Sequence, residues 1–117
     1  MKVKRIVTNI DATNIEKADA FYKDIFGLDV LMDNGWIKTF GSDSEMTVQI
    51  SIASEGGSGT QVPNLSIEVD DLDEALDLMK RANVVIEYGP ITEDWGVRRF
   101  YVRDPFGALI NVLQHVR

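Results

Sequence analysis

The chain has 117 residues, 44% of them hydrophobic and 26% charged, with nineteen acidic residues against twelve basic ones, no cysteine and a formal net charge of -7. That length suits one domain, and the apolar content is that of a folded chain rather than a disordered one. The missing cysteine excludes disulfides, thiolate zinc sites, thiol nucleophiles and iron–sulfur ligation, and the acidic balance opposes binding to nucleic acid or to an anionic membrane. No apolar run approaches the ~20 residues of a membrane span. The opening Met1–Ile6 lacks the apolar stretch of a signal peptide, so the cytoplasm is the expected location.

Residues 3–10 carry Ile6 and Ile10 on one side with Thr8 between them and read as a strand. Thr13-Asn14-Ile15-Glu16 fits a capping box. Ile15, Ala18, Tyr22 and Ile25, with Phe21 beside them, follow at helical spacing until Gly27 ends the helix. Strands are expected at 28–32, 36–40 and 46–52, the first two joined by the tight turn Asp33-Asn34-Gly35. Glu55-Gly56-Gly57-Ser58-Gly59-Thr60 reads as a flexible linker. It is no phosphate loop, because Gln61-Val62-Pro63 and a further strand follow it instead of a helix opening on Lys-Ser or Lys-Thr.

The order then restarts. Residues 64–69 place Leu65, Ile67 and Val69 on one face, Asp71-Leu72-Asp73-Glu74 is a second capping signal, and Leu72, Ala75, Leu76, Met79 and Ala82 continue at helical spacing. Further strands are expected at 84–87, 98–103 and 108–114. Ile10 aligns with Ile67, Ile15 with Leu72, Ala18 with Ala75 and Lys23 with Lys80, all at one offset of 57 residues. Each half thus reads β-α-β-β-β. The expected fold is α+β: two βαβββ modules, about residues 1–55 and 62–117 with a linker at 55–63, forming a curved mixed sheet around a central cavity with helices on the outer face.

Strand alternation predicts which side chains line that cavity. The apolar faces, Ile6 with Ile10 and Leu65 with Ile67 and Val69, turn to the helices. Arg5, Val7 and Asn9, or Asn64, Ser66 and Glu68, then face a partly polar trough. In the last strand Ile110 and Val112 turn to the helices and Leu109, Asn111 and Leu113 to the trough. In the strand before it, Arg99 and Tyr101 share one side and Phe100 and Val102 the other.

Ala20-Phe21-Tyr22 with Phe26-Gly27-Leu28, Ile67-Glu68-Val69-Asp70-Asp71-Leu72, and above all Phe100-Tyr101-Val102-Arg103-Asp104-Pro105-Phe106-Gly107 make the chain resemble the vicinal oxygen chelate superfamily. Its members include glyoxalases, bleomycin- and fosfomycin-resistance proteins and extradiol dioxygenases. The resemblance covers nearly the whole chain and implies paired βαβββ modules, often completed in a homodimer. It also implies a metal held by one ligand on each of several trough-facing strands. Carried over by position, the usual first-strand His corresponds to Val7, the usual His or Gln of the second module to Asn64, the usual Glu to Asn111, and a fourth position to about Gln49. Valine has no donor atom, and neutral amides are poor substitutes for imidazole and carboxylate. The expectation is therefore no bound metal and no cofactor.

What remains in the trough is recognition chemistry. Trp36, Trp95 and Tyr101 offer aromatic surface, Arg99 and Glu68 offer charge, and Asn64 and Asn111 offer polar anchors. Tyr88 and Phe40 add rings and Arg5 and Asn9 further polar groups, while Glu93 and Asp94 beside Trp95 oppose Arg98 and Arg99 and leave the sign of the ligand open. The single histidine, His115, reads as an exposed side chain near the end of the last strand. Three functions fit: a homodimeric, metal-free protein that binds a small organic molecule; a metal-dependent lyase, isomerase or dioxygenase with Glu68, Glu87 and His115 as reserve ligands; or a metal-independent catalyst using Tyr101 or Glu68 with Arg99.

Overall fold

A computed structural model describes residues 1–42 and 49–116, and the chain divides into two compact units: Val7–Val62, and Met1–Ile6 together with Pro63–Arg117. The first strand, β1 (Val3–Asp11), is shared by chain connectivity, its opening residues belonging to the C-terminal unit and the rest to the N-terminal one.

In the N-terminal unit β1 runs parallel to β4 (Gln49–Ala53), with Thr8 opposite Ile50 and Ile10 opposite Ile52. Next come β3 (Ile37–Gly41), antiparallel to β4, and β2 (Asp29–Asp33), antiparallel to β3 with an irregularity between Val30 and Met32. The Asp33-Asn34-Gly35 turn forms as expected, Gly35 donating its amide to the Asp33 carboxylate. The part of the expected fourth strand before Gln49 lies outside the described residues, as does the Phe21 side chain.

Two expectations fail in the first half of the chain. The helix of the first half is instead a 3₁₀ turn, Ile15–Lys17, followed by a π turn, Asp19–Lys23. Asn14, not Thr13, stands at the N-cap and makes no side-chain capping bond, so the capping box is absent and the first turn lacks the bond that would start an α-helix. Burial along β1 also differs: Val7 is buried at 5% exposure, whereas Ile6 and Ile10 are 58% and 37% exposed, although Ile10 shares the face of its register partner Ile52, as alternation predicts. The cause lies in where the short turns sit. Ile15 and Ala18 pack with Phe40 and Ile52, joined by Tyr22, Leu28 and Ile50, so they cover β3 and β4 rather than β1.

In the C-terminal unit β5 (Leu65–Val69) runs parallel to β8 (Leu109–His115), followed by β7 (Val97–Arg103) and β6 (Tyr88–Thr92), both antiparallel to their neighbours. One regular helix, α1 (Leu72–Arg81), covers this sheet. Asp71 caps it, its carboxylate accepting the Glu74 amide at 3.0 Å. Leu72 and Ala75 pack on Val69, Phe100, Val102, Ile110 and Val112, as alternation predicts.

The strand expected at 84–87 does not form. Asn83 adopts a left-handed φ of 59° and the Val84 amide turns back to the Met79 carbonyl at 3.0 Å, closing the helix instead of entering a ladder. Val84 and Ile86 still pack on the core, and the strand begins four residues later as β6. The Asp104-Pro105-Phe106-Gly107 turn forms: the Asp104 carboxylate accepts the amides of Phe106 and Ala108, and Gly107 takes φ 84°. Among the described residues no helix is long and apolar enough to cross a membrane.

Candidate functional site

The face of the C-terminal sheet opposite α1 is organised in rows set by strand register. Ser66, Asn111 and Tyr101 form one row, and Glu68, Leu113 and Arg99 the next. The β6–β7 hairpin brings a loop to the same face. Its Glu93 amide donates to Val97 at 2.7 Å, and the Gly96 amide to Glu93 at 3.2 Å.

Arg99 is the hub of this loop. It is 2% exposed, its Nη2 lies 3.1 Å from Glu93 Oε2, and its Nη1 donates to the Tyr101 hydroxyl at 3.0 Å. Three rings surround the guanidinium, with the centres of Tyr88, Trp95 and Tyr101 at 5.2, 5.0 and 5.0 Å. Each such contact is worth ~0.5–2 kcal/mol. Tyr88 closes the circuit by donating its hydroxyl to Glu93 Oε1 at 2.8 Å. A buried arginine thus has its charge balanced by one carboxylate and its faces covered by aromatic rings. Gly89 permits the close approach. It has φ 77°, and a methyl group there would lie 2.5 Å from the Arg99 carbonyl oxygen.

Glu68 centres a second network. Its carboxylate bonds Arg5 Nε and His115 Nδ1, the latter at 3.0 Å, with Lys4 Nζ at 3.8 Å. Burial pushes the Glu68 carboxyl up, but the bonds from Arg5 and His115 outweigh it and hold its pKa below the ordinary value. His115 is exposed as expected and is also fastened to Glu68, a contact the spacing does not announce.

The two asparagines differ. Asn64 is exposed, and its Oδ1 accepts the Leu109 amide at 2.9 Å while its own amide donates to the Leu109 carbonyl, so the side chain extends the pairing of β5 with β8. Asn111 is 8% exposed and donates its Nδ2 to Ser66 Oγ at 3.2 Å, while its Oδ1 is buried with no hydrogen-bond partner among the described residues.

The structure therefore brings Glu68, Trp95, Arg99, Tyr101 and Asn111 together in one unit, and Trp36 lies in the other. Tyr88 and Glu93, expected only as a further ring and an acidic neighbour of Trp95, are the partners of Arg99. Tyr88 opens β6 opposite Tyr101 and Glu93 follows its end, so their convergence on Arg99 is legible only once β6 is placed at 88–92 rather than 84–87.

The positions that would hold a metal in the resembling family do not fit one. Val7 has no donor atom, the Asn64 oxygen is engaged by Leu109, and Asn111 offers a neutral amide. Among the described residues no three His, Asp or Glu side chains converge as a metal site.

Two units of like order, a strand, a helical segment and three strands, irregular in the first and an α-helix in the second, define the paired-module class of α+β proteins. The chain belongs to the Glyoxalase/Bleomycin resistance protein/Dioxygenase superfamily, whose family model matches residues 6–112. No curated protein matches it in sequence. Among solved structures it is similar to an NAD-dependent benzaldehyde dehydrogenase from Legionella pneumophila, with a TM-score of 0.74 and 16% identity over 95% of this chain and 99% of that one. A glyoxalase/bleomycin resistance protein/dioxygenase superfamily member from Vibrio splendidus 12B01 gives 0.68 and 18% over 97% and 99%. Streptomyces coelicolor methylmalonyl-CoA epimerase, in complex with 2-nitronate-propionyl-CoA, gives 0.69 and 14% over 99% and 100%. At these identities the likeness shows the fold alone.

Proposed function

We propose that this chain is a cytoplasmic, homodimeric member of the superfamily that binds a small organic molecule by recognition, without a catalytic metal. The observation that carries this reading is the donor set at the family's ligand positions: no donor at Val7, an engaged oxygen at Asn64 and a neutral amide at Asn111. Lewis-acid chemistry needs three good ligands and an open position, whereas binding needs shape, apolar surface and a few placed polar groups. The Arg99 network supplies the rings, and Asn111 with Ser66 the polar groups. A second copy of the chain is supported by β2, where Val30, Leu31 and Met32 are exposed on a strand that pairs only with β3 among the described residues.

The test is metal content per chain, by mass spectrometry of protein purified without chelator and resupplied with zinc, nickel, manganese and ferrous iron, alongside mass determination by light scattering. The expected result is substantially less than one ion per dimer on a dimeric protein. Near one ion per chain would overturn the reading in favour of a metal-dependent lyase, isomerase or dioxygenase. Glu68 and His115, which already touch, would then be mutated first, together with Glu87, which pairs instead with Arg103 at 3.0 Å.

A further inference from the structure

We propose that Asn111 Oδ1 is the acceptor for a hydrogen-bond donor on a neutral ligand, a hydroxyl or amide N–H carried on an apolar body. The inference rests on the binding reading above and gives its ligand a chemistry. Buried carbonyl oxygens in native proteins nearly always have a partner, and leaving one without costs stability. Asn64, just before β5, and Asn111, within β8, are the same residue type on one strand pair, yet the Asn64 oxygen is satisfied within the sheet and the Asn111 oxygen has no partner among the described residues. The Asn111 amide is anchored by its Nδ2 on Ser66, which fixes the plane of the group and leaves the oxygen as its unused end.

The surroundings select a neutral molecule. Along β8 the same face carries Leu109 and Leu113, both buried, and across the sheet the neighbour is the buried Tyr101. The ionised groups of this face are already matched: Glu93 by Arg99, and Glu68 by Arg5, Lys4 and His115. An ammonium or carboxylate brought to Asn111 would arrive without a counter-charge in a low-dielectric setting and would be rejected. A neutral hydroxyl or amide would complete the Asn111 hydrogen bond, its apolar body packing among the buried side chains of Leu109, Leu113 and Tyr101, which must part to admit it.

The experiment is an NMR titration of the ¹⁵N-labelled full chain with 4-methylphenol and with 4-methylanisole, which differ only in the donor hydrogen and one methyl group. It reads the side-chain amide resonances of Asn111 and is repeated on Asn111→Leu with backbone resonances of the same face. The expected result is a shift of the Asn111 side-chain amide with the phenol and about fivefold tighter binding than the anisole. In Asn111→Leu the two probes become equal, and the melting temperature is unchanged or raised because an unsatisfied buried acceptor has gone. Equal binding of both probes in the wild type, or phenol preference surviving in Asn111→Leu, overturns the inference and leaves the binding reading standing. A lowered melting temperature together with no Asn111 shift from either probe also overturns it, making the residue a structural partner of Ser66. The reading beneath it falls separately, on ion uptake near one per chain.

Discussion

The two units follow the same order of elements and differ in how they make the step from first to second strand. The C-terminal unit uses a ten-residue α-helix with a side-chain cap, packed on five buried residues of its sheet. The N-terminal unit uses a three-residue 3₁₀ turn and a five-residue π turn, packed on two, Phe40 and Ile52. Apolar spacing is alike in the two, since Ile15 and Ala18 are buried as Leu72 and Ala75 are. What separates them is the ends. Asp71 accepts an amide at the start of α1, and Asn83 closes it with a left-handed turn. Asn14 makes no capping bond, and Asp19 reaches Lys38 on β3 at 3.1 Å. Periodicity therefore marks Ile15 and Ala18 but fails at Ile25, 68% exposed beyond the π turn, and terminal hydrogen bonding decides whether a regular helix carries the apolar face.

The largest effect that could break this comparison comes from the cores. Phe100 and Phe40 are both fully buried. Phe100→Ala is expected to cost ~4–5 kcal/mol, and Phe40→Ala, in the smaller cluster, about 3. Urea unfolding of both variants checks this, and a greater loss at Phe40 would mean that the helix-bearing unit is not the more tightly determined one.

Next in size is the Arg99 network, which gives the C-terminal unit its chemistry. Glu93→Gln keeps the shape and the Tyr88 bond but leaves the Arg99 charge buried without a counter-ion, at an expected cost of about 3 kcal/mol. Combining it with Arg99→Met should recover most of that loss. A double variant as unstable as the single would show that the three rings, not the ion pair, hold the loop.

A smaller effect, confined to acid, comes from Glu68. Its folded pKa is held below the ordinary 4.5, against the pull of burial, by Arg5 and His115. Its contribution is therefore fully present above about pH 4.5 and is lost as pH falls through the lower folded pKa. Glu68→Gln should flatten the acid side of the stability–pH curve and leave the neutral side parallel to wild type. An unchanged acid side would remove Glu68 as its origin.

Much of the C-terminal unit was legible in the sequence. Alternation put Phe100 and Val102 under the helix and Arg99 with Tyr101 on the far face, and the Asp104–Gly107 turn fixed the register of β7 with β8. The sixth strand was displaced, expected at 84–87 and found at Tyr88–Thr92, where it contains Gly89-Pro90. Proline is tolerated there because β6 pairs on one side only among the described residues, and the ladder skips from Tyr88 to Ile91. That displacement hid Glu93 and Tyr88 as partners of Arg99. Along β1 the exposure of Ile6 and Ile10 was not legible, because alternation shows which residues share a face and not how far short turns cover it.

The smallest effect gives the cleanest comparison of the two helix starts. Asp71→Ala removes the acceptor of the Glu74 amide and should cost ~1 kcal/mol. Thr13→Ala touches a residue that resembles a cap in sequence and is not one, because Asn14 holds the N-cap position and makes no side-chain bond. It should change stability by only a few tenths of a kcal/mol, within the range of ordinary surface substitutions. Thermal unfolding of the two variants reads the difference directly, and helical circular dichroism should fall for Asp71→Ala alone. Equal losses would show that Thr13 starts a helix after all and that the two units share one mechanism of initiation. Unequal losses in the expected direction would tie the regular helix to a single carboxylate, present in one unit and unmatched in the other.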